Sequence, residues 1–358
     1  WYVAAQADSL AGSNQSPDQF DLIAFFNGDI GVNPNCLTGL DWYNGFDHNE
    51  APNEIDLLSV VMHEFAHGLG VLELVDELTG EQFIGLDDAY QVHMFDTTQQ
   101  KHWTDMTNAE RLASQDNSGN LVWTGDNVTM EAPNVLGPRP SVRINHPRGI
   151  RGVYEAQAAS FGPPLESWGD ATRMEIADDG AGVSTDACEP LQYPWVYWGK
   201  IVLIDRGGCA FTTKVLNAQN ARAVGAIVIN NQPGGPSPMG GFDPGVYIPS
   251  VGVSMADGNT FKAGTARGLG GFMYVDDRFL AGADPDGYVR LYAPNPVQPG
   301  SSKSHFDTSA TPNLLMEPSI NPDLRPTEDL DLTLPLMQDI GWTLMEDEDG
   351  DLPWWWPF

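Results

Sequence analysis

The sequence predicts an α+β chain in which stretches of two textures alternate, and three observations predict it. A run from Asn53 to Gly70 carries Ile55, Leu58, Met62, Phe65 and Leu69 at the spacing of one buried helical face. Between about 150 and 275, strand-like runs (Lys200 to Ile204, Ala226 to Asn230, Ile248 to Val253) alternate with one helix-like run, Thr212 to Val224. This middle stretch is bounded by loop-like segments. Residues 133–150 hold Pro133, Pro138, Pro140 and Pro147, and residues 284–304 are again loop-like.

Taken in order, Phe20 to Asn27 reads as a strand ended by Gly28, and residues 32–52 as an irregular loop. Asn53 can cap the helix that follows, with Asp56 as a capping-box-like partner three residues on, and Gly68 and Gly70 end it. Thr107 to Ser114 predicts a short helix and Leu121 to Trp123 a short strand. Leu330 to Ile340 predicts a final helix closed by Gly341, with Pro335 obscuring where it starts. An acidic tail follows, and then Trp354, Trp355 and Trp356.

The 358 residues are enough for two domains, and 41% of them are hydrophobic, enough for a sizeable core. Lys plus Arg total 17 against 49 Asp plus Glu, a net charge of −32. That balance excludes a basic face for nucleic acid or an anionic membrane. No apolar run reaches the length of a membrane span. The three cysteines, Cys36, Cys188 and Cys209, leave one unpaired within the chain. Low Lys with abundant Asp, Gly and Pro points to an exported, extracellular protein. The chain begins at Trp1 rather than Met, as processing or truncation would leave it. No pattern speaks to the oligomeric state.

The chemistry concentrates in His63-Glu64-Phe65-Ala66-His67. Four residues apart on a helix, the two imidazoles share one face and can hold a single zinc ion. Glu64 is the candidate general base, close enough to reach an activated water without being a ligand. A zinc site built this way still lacks one protein ligand. Glycine three residues after His67, at Gly70, is a metzincin signature, and the compact spacing would make Glu73 the third ligand.

A second candidate lies far downstream, in Ser301-Ser302-Lys303-Ser304-His305-Phe306-Asp307, followed by Leu314-Leu315-Met316-Glu317-Pro318 and Asp339-Ile340-Gly341-Trp342. With these motifs the chain resembles the leishmanolysin-like metzincins over roughly residues 1–75 and 300–342. That resemblance implies His305 as third zinc ligand, Met316 in a methionine turn beneath the metal, and a helix ending at the Asp-x-Gly-aromatic pattern. Phe306 departs from the Trp often found there. The other histidines, His48, His93, His102 and His146, lack ligand spacing and read as surface or structural.

Gly199-Lys200-Ile201-Val202-Leu203-Ile204-Asp205-Arg206-Gly207-Gly208-Cys209-Ala210-Phe211, with Lys214, Ala218, Ala221, Gly225-Ala226 and Asn230-Asn231 after it, resembles a protease-associated (PA) domain. Arg222 stands where small residues are usual. Such domains need no catalytic residues and are thought to bind or gate substrate, or to bind other proteins. Cys188 lies 21 positions before Cys209. A bridge between them would close a loop worth roughly 3 kcal/mol; the alternative is two buried thiols.

These readings together predict a catalytic domain over 1–137, an inserted PA domain over 138–275, and the rest of the catalytic domain over 276–358. Metzincin domains usually place more sheet before the zinc helix, so an upstream segment, carrying a partner for Cys36, is expected. Ile23, Ala24, Phe25, Phe26 and Asn27 are expected to form an edge strand that pairs with a peptide substrate. Asp347-Glu348-Asp349-Gly350-Asp351 resembles a fragment of a calcium loop but lacks full EF-hand spacing, so a solvated acidic tail competes with structural calcium there. The implied activity is that of a secreted zinc endopeptidase acting on proteins or peptides. Its rivals are an inactive PA-domain binding protein and a peptidase that uses Glu73 as ligand.

Overall fold

A computed structural model describes residues 1–343 apart from 52, 168 and 321–323. The chain divides into two compact units, Trp1–Leu136 with Gly282–Phe358, and Gly137–Ala281.

The first unit opens with helix α1 (Ala4–Ala11), which no sequence pattern announced. The strand expected over residues 20–27 is not formed. Exposure alternates from Leu22 to Phe25 as in an extended chain, but no strand among the described residues pairs with it, and Phe25 is 91% exposed. Strands β1 (Asp41–Tyr43) and β2 (Glu54–Asp56) pair in parallel, so part of the expected loop and of the expected helix start is sheet. Helix α2 therefore begins at Leu57 and runs to Gly68. Its cap is Asp56 rather than Asn53, because the Asp56 carboxylate accepts from Leu58 N (3.1 Å) and Ser59 Oγ (2.7 Å).

Strands β3 (Met94–Asp96) and β4 (Lys101–His102) follow, and then helix α3 (Asn108–Ser114), closed by a full capping box from Thr107 and Glu110. Strand β5 (Leu121–Trp123) leads into helix α4 (Asp126–Val135), which contains Pro133.

The second unit corrects the turn-rich reading of 133–150, since Pro138–His146 is strand β6. Its prolines are tolerated because the pairing with β7 (Gly152–Glu155) starts only at Ser141; Pro140 is asked for its carbonyl, which Ala156 N meets at 3.0 Å. Strands β8 (Gln157–Ala158) and β9 (Thr172–Ile176) precede β10 (Ile201–Asp205), helix α5 (Phe211–Asn220) and β11 (Gly225–Ile229). Then come β12 (Ser250–Val253), helix α6 (Met255–Thr265) and β13 (Gly270–Leu280). The eight strands form one mixed sheet in the order β7-β6-β13-β9-β10-β11-β12-β8, parallel from β9 to β12.

The continuous apolar runs of β10 and β11 are explained by burial on both faces. Val202, Ile204, Ala226 and Val228 point into one core with Val215 and Ala218 of α5. Ile201, Leu203, Ile227 and Ile229 point into another with Phe261 of α6. The two ends of this unit meet, Ala281 N donating to Gly137 O at 2.9 Å. An insertion with adjacent ends costs its host little loop entropy.

Back in the first unit, β14 (Val289–Arg290) completes an antiparallel sheet of order β14-β5-β3-β4. The last helix, α7 (Thr333–Asp339), starts three residues later than the expected Leu330, with Pro335 in its first turn, where the missing N–H removes no helical bond.

Candidate metal centre

Helix α2 carries His63, Glu64 and His67 in its last two turns. Its end is fixed by side chains from elsewhere in the unit. Leu22 lies against Gly68, where a β-carbon would come within 2.9 Å of it, so this position must stay small. Trp342 Nε1 donates to Leu69 O (2.8 Å), and Gln6 Nε2 to Ile340 O (2.6 Å). Gly70 has φ +113°, a conformation that glycine adopts readily. Asp339, of the Asp-x-Gly-Trp pattern, accepts from Asn127 N (2.8 Å), Val128 N (3.2 Å) and Trp123 Nε1 (2.8 Å), so it caps α4.

His305 comes from a loop. Ser301 O receives its Nδ1–H at 2.7 Å, Tyr292 N donates to His305 O at 2.8 Å, and Phe306 N donates to Met316 O at 2.8 Å. Residues 314–317 make a turn, with Leu314 N on Glu317 Oε1 (2.9 Å) and Glu317 N on Leu314 O (3.1 Å). The half-buried Asp331 carboxylate holds Leu315 N at 2.8 Å, and the Met316 side chain is fully buried. This turn touches both halves of the site. Leu315 O binds His63, and Met316 O binds the residue after His305.

The three imidazoles converge. Their Nε2 atoms lie 3.1 Å (His67–His305), 3.2 Å (His63–His67) and 3.2 Å (His63–His305) apart. Each Nδ1 faces a main-chain carbonyl at 2.7 Å: Leu315 for His63, Val71 for His67 and Ser301 for His305. A carbonyl can only accept, so every Nδ1 bears the proton, and in a neutral ring every Nε2 is a bare lone pair. Burial pushes the His67 imidazole down from its ordinary value and His305 down to about 3, with the neighbouring rings adding to the effect on His305.

Three lone pairs aimed at one point repel unless a cation lies between them. Tetrahedral bonds of about 2.0–2.1 Å to one zinc ion would separate ligand nitrogens by roughly 3.3 Å, which these distances match closely. The residues fit the metal, and three protein ligands leave the open position of a catalytic site. Glu64, next to His63, is exposed.

Glu73 is not in this group. Its carboxylate is buried against the fully buried Lys303, Oε1 to Nζ 2.9 Å, while Oε2 takes Val75 N at 2.6 Å. Burial pushes the Glu73 carboxyl up to about 7, against the pull of Lys303. The other histidines serve the scaffold. His48 is buried between Asp56 (3.0 Å) and Thr327 Oγ1 (2.8 Å), so a surface location does not describe it. His93 reaches Asp339 O, His102 packs on Phe95, and His146 reaches Arg267 O.

Ile23 to Asn27 join no sheet among the described residues, and Asn27 O takes Trp42 Nε1 at 2.9 Å. Cys188 and Cys209 form a disulfide with Cα atoms 5.7 Å apart, and Cys36 is free. Asp347 to Asp351 lie outside the described residues. Sequence reasoning missed the three carbonyls that set the tautomers, because main-chain groups carry no residue signature. It also missed Lys303, whose only signal was a cation in a chain poor in them.

The PA domain family model matches residues 175–261. The chain is 37% identical over 114 residues to leucine aminopeptidase 2 of Arthroderma otae, covering 32% of this chain and 21% of that protein. It is 38% identical over 102 residues to the human ER degradation-enhancing alpha-mannosidase-like protein 3, covering 28% and 10%. Among solved structures it is similar to BSAP, a zinc aminopeptidase from Bacillus subtilis, at 22% identity and a TM-score of 0.29, over 42% of this chain and 36% of that one. The chain thus spans about a fifth of the length of the first curated relatives it matches. What these comparisons establish is that the chain carries a PA domain over residues 175–261, while His63, His67 and His305 lie outside that match.

Proposed function

We propose that the chain is a secreted zinc-dependent endopeptidase of metzincin-like type, with its PA domain aiding the binding of substrate or of other proteins. The observation that carries the reading is the convergence of three Nε2 lone pairs, each set by a carbonyl partner. Bound zinc would act as a Lewis acid and lower the pKa of a water molecule. Glu64, exposed beside His63, takes the proton of the attacking water and passes it to the leaving amine. Leu22 lies against Gly68, so the extended segment 22–27 starts beside the last residue of the helix that carries His67. Its main-chain groups from Leu22 to Phe26, which pair with no strand among the described residues, suit a peptide added as a strand.

The PA domain and the aminopeptidase names among the relatives support action on peptides. Another relative of comparable match length carries a mannosidase-like name, so the relatives' names do not fix a reaction for this chain. The peptidase reading therefore rests on the histidines and Glu64. The Cys188–Cys209 disulfide supports export, since such bonds persist in oxidising compartments.

The test is a fluorogenic peptide blocked at both ends, set against Leu-p-nitroanilide. Cleavage of the blocked peptide is expected, abolished by a chelator and lowered at least 100-fold in Glu64→Gln with zinc retained. Cleavage of the free-amine substrate alone would make the protein an aminopeptidase. No chelator-sensitive cleavage of either in the zinc-loaded protein would leave a binding protein.

A further inference from the structure

Lys303 and Glu73 form a buried ion pair that the proposed reaction does not use. Lys303 is fully buried two residues before His305, and its backbone is left-handed, with φ +77°, an uncommon state for a residue with a side chain. That conformation lies inside the turn that brings Ser301 O onto His305 Nδ1. Lys303 is held at every polar group. Its N donates to Tyr292 O (2.8 Å), its carbonyl accepts from Tyr90 Oη (3.2 Å), and Nζ meets Glu73 Oε1 at 2.9 Å with Glu77 Oε1 at 3.8 Å. Glu73 stands two residues after Val71, whose carbonyl sets His67, and Glu73 N donates to Ser304 Oγ at 3.2 Å.

We propose that the Glu73–Lys303 pair is a positioning clasp: it ties the segment that orients His67 to the loop that supplies His305, and so holds two of the three nitrogens at the separation one zinc ion requires. This rests on the zinc reading above. A buried ion pair is often no more stabilising than apolar residues of its shape, so stability alone is a weak reason for one to be here. A fixed geometry between two segments more than two hundred residues apart in sequence is a better one.

The experiment replaces the pair with apolar residues, Glu73→Leu with Lys303→Met, in the whole chain. Three quantities are read at pH 8: thermal stability of the metal-free protein, zinc affinity by chelator competition, and the visible spectrum of the cobalt-loaded protein. The expected result is metal-free stability equal to or above that of the parent. Zinc affinity should fall roughly 10–100-fold, as when groups orienting a ligand are lost, and the cobalt bands should shift. Glu73→Gln, isosteric and able to accept from Lys303, should lose affinity in the same direction, and it supplies the reading if the double variant does not fold. Parent affinity and spectrum in whichever variant folds overturn the clasp. His305→Ala separates the two levels: if it leaves zinc affinity unchanged, the zinc reading fails and not merely the clasp.

Discussion

Both units of this chain bury apolar side chains, but they fix their main chains by different means. In Gly137–Ala281 an eight-stranded sheet is buried between two apolar layers. In the other unit no strand exceeds three residues among those described, and buried or half-buried polar side chains hold main-chain groups in place. Asp88 accepts from Leu74 N, Tyr90 N and Gln91 N, the Arg111 guanidinium donates to Gly80 O and Trp103 O, and Asp331 and Asp339 each fix a turn or a helix end. Apolar contact is non-directional and gives stability, whereas hydrogen bonds specify position. A unit that must bring His63, His67 and His305 to one point needs the second kind.

The largest expected effect tests the apolar half of the comparison. Phe261 is fully buried and edge-on to Tyr154, ring centroids 4.8 Å apart. Phe261→Ala should cost about 3–5 kcal/mol in denaturant unfolding through the cavity it leaves. Zinc affinity, set in the other unit, should stay at the parent value; a parallel loss of zinc would break the contrast.

A somewhat smaller effect concerns Glu73 and is read as a pH dependence. Burial raises its carboxyl from 4.5 to about 7, opposed by Lys303 and aided by Asp88. A raised acid pKa means that the folded state holds a proton which the unfolded state has released. The contribution is complete below about 4.5 and is lost as pH climbs through about 7. Over that window metal-free parent protein should lose on the order of 3 kcal/mol more stability than Glu73→Gln. Equal slopes for the two proteins would sink the assignment.

What was legible in the sequence follows the same division. Three of the four parallel strands of the second unit, β10, β11 and β12, announced themselves because burial on both faces leaves continuous apolar runs, as in Ile201 to Ile204, whereas β9, with Thr172, Arg173 and Glu175, did not. Strand β6 did not, because its prolines mimic a loop until the position of the β7 ladder is known. In the first unit, five-residue and seven-residue motifs pointed to His63, His67 and His305, while the elements around them stayed obscure. Asp56 read as the partner of a cap and is the cap, since Glu54 to Asp56 are drawn into pairing with Asp41 to Tyr43. Residues Ile23 to Asn27 carry a strand-like apolar run, but a strand also needs a neighbour, and sequence alone cannot supply one.

The smallest effect asks how local the polar scaffold is. Asp56 caps the helix that carries His63 and His67, and the same carboxylate meets His48 Nδ1 at 3.0 Å. Asp56→Ala removes the cap and should lower the stability of the metal-free protein by about 1–2 kcal/mol, whereas Asp56→Asn keeps an oxygen for Leu58 N and should lose less. His63 and His67 take their aim from Leu315 O and Val71 O at the far end of the helix, so zinc affinity should change far less than when the Glu73–Lys303 pair is removed. Chelator competition on the alanine variant decides it. A drop matching the clasp variant would mean that the helix as a whole, rather than the carbonyls at its end, positions the imidazoles.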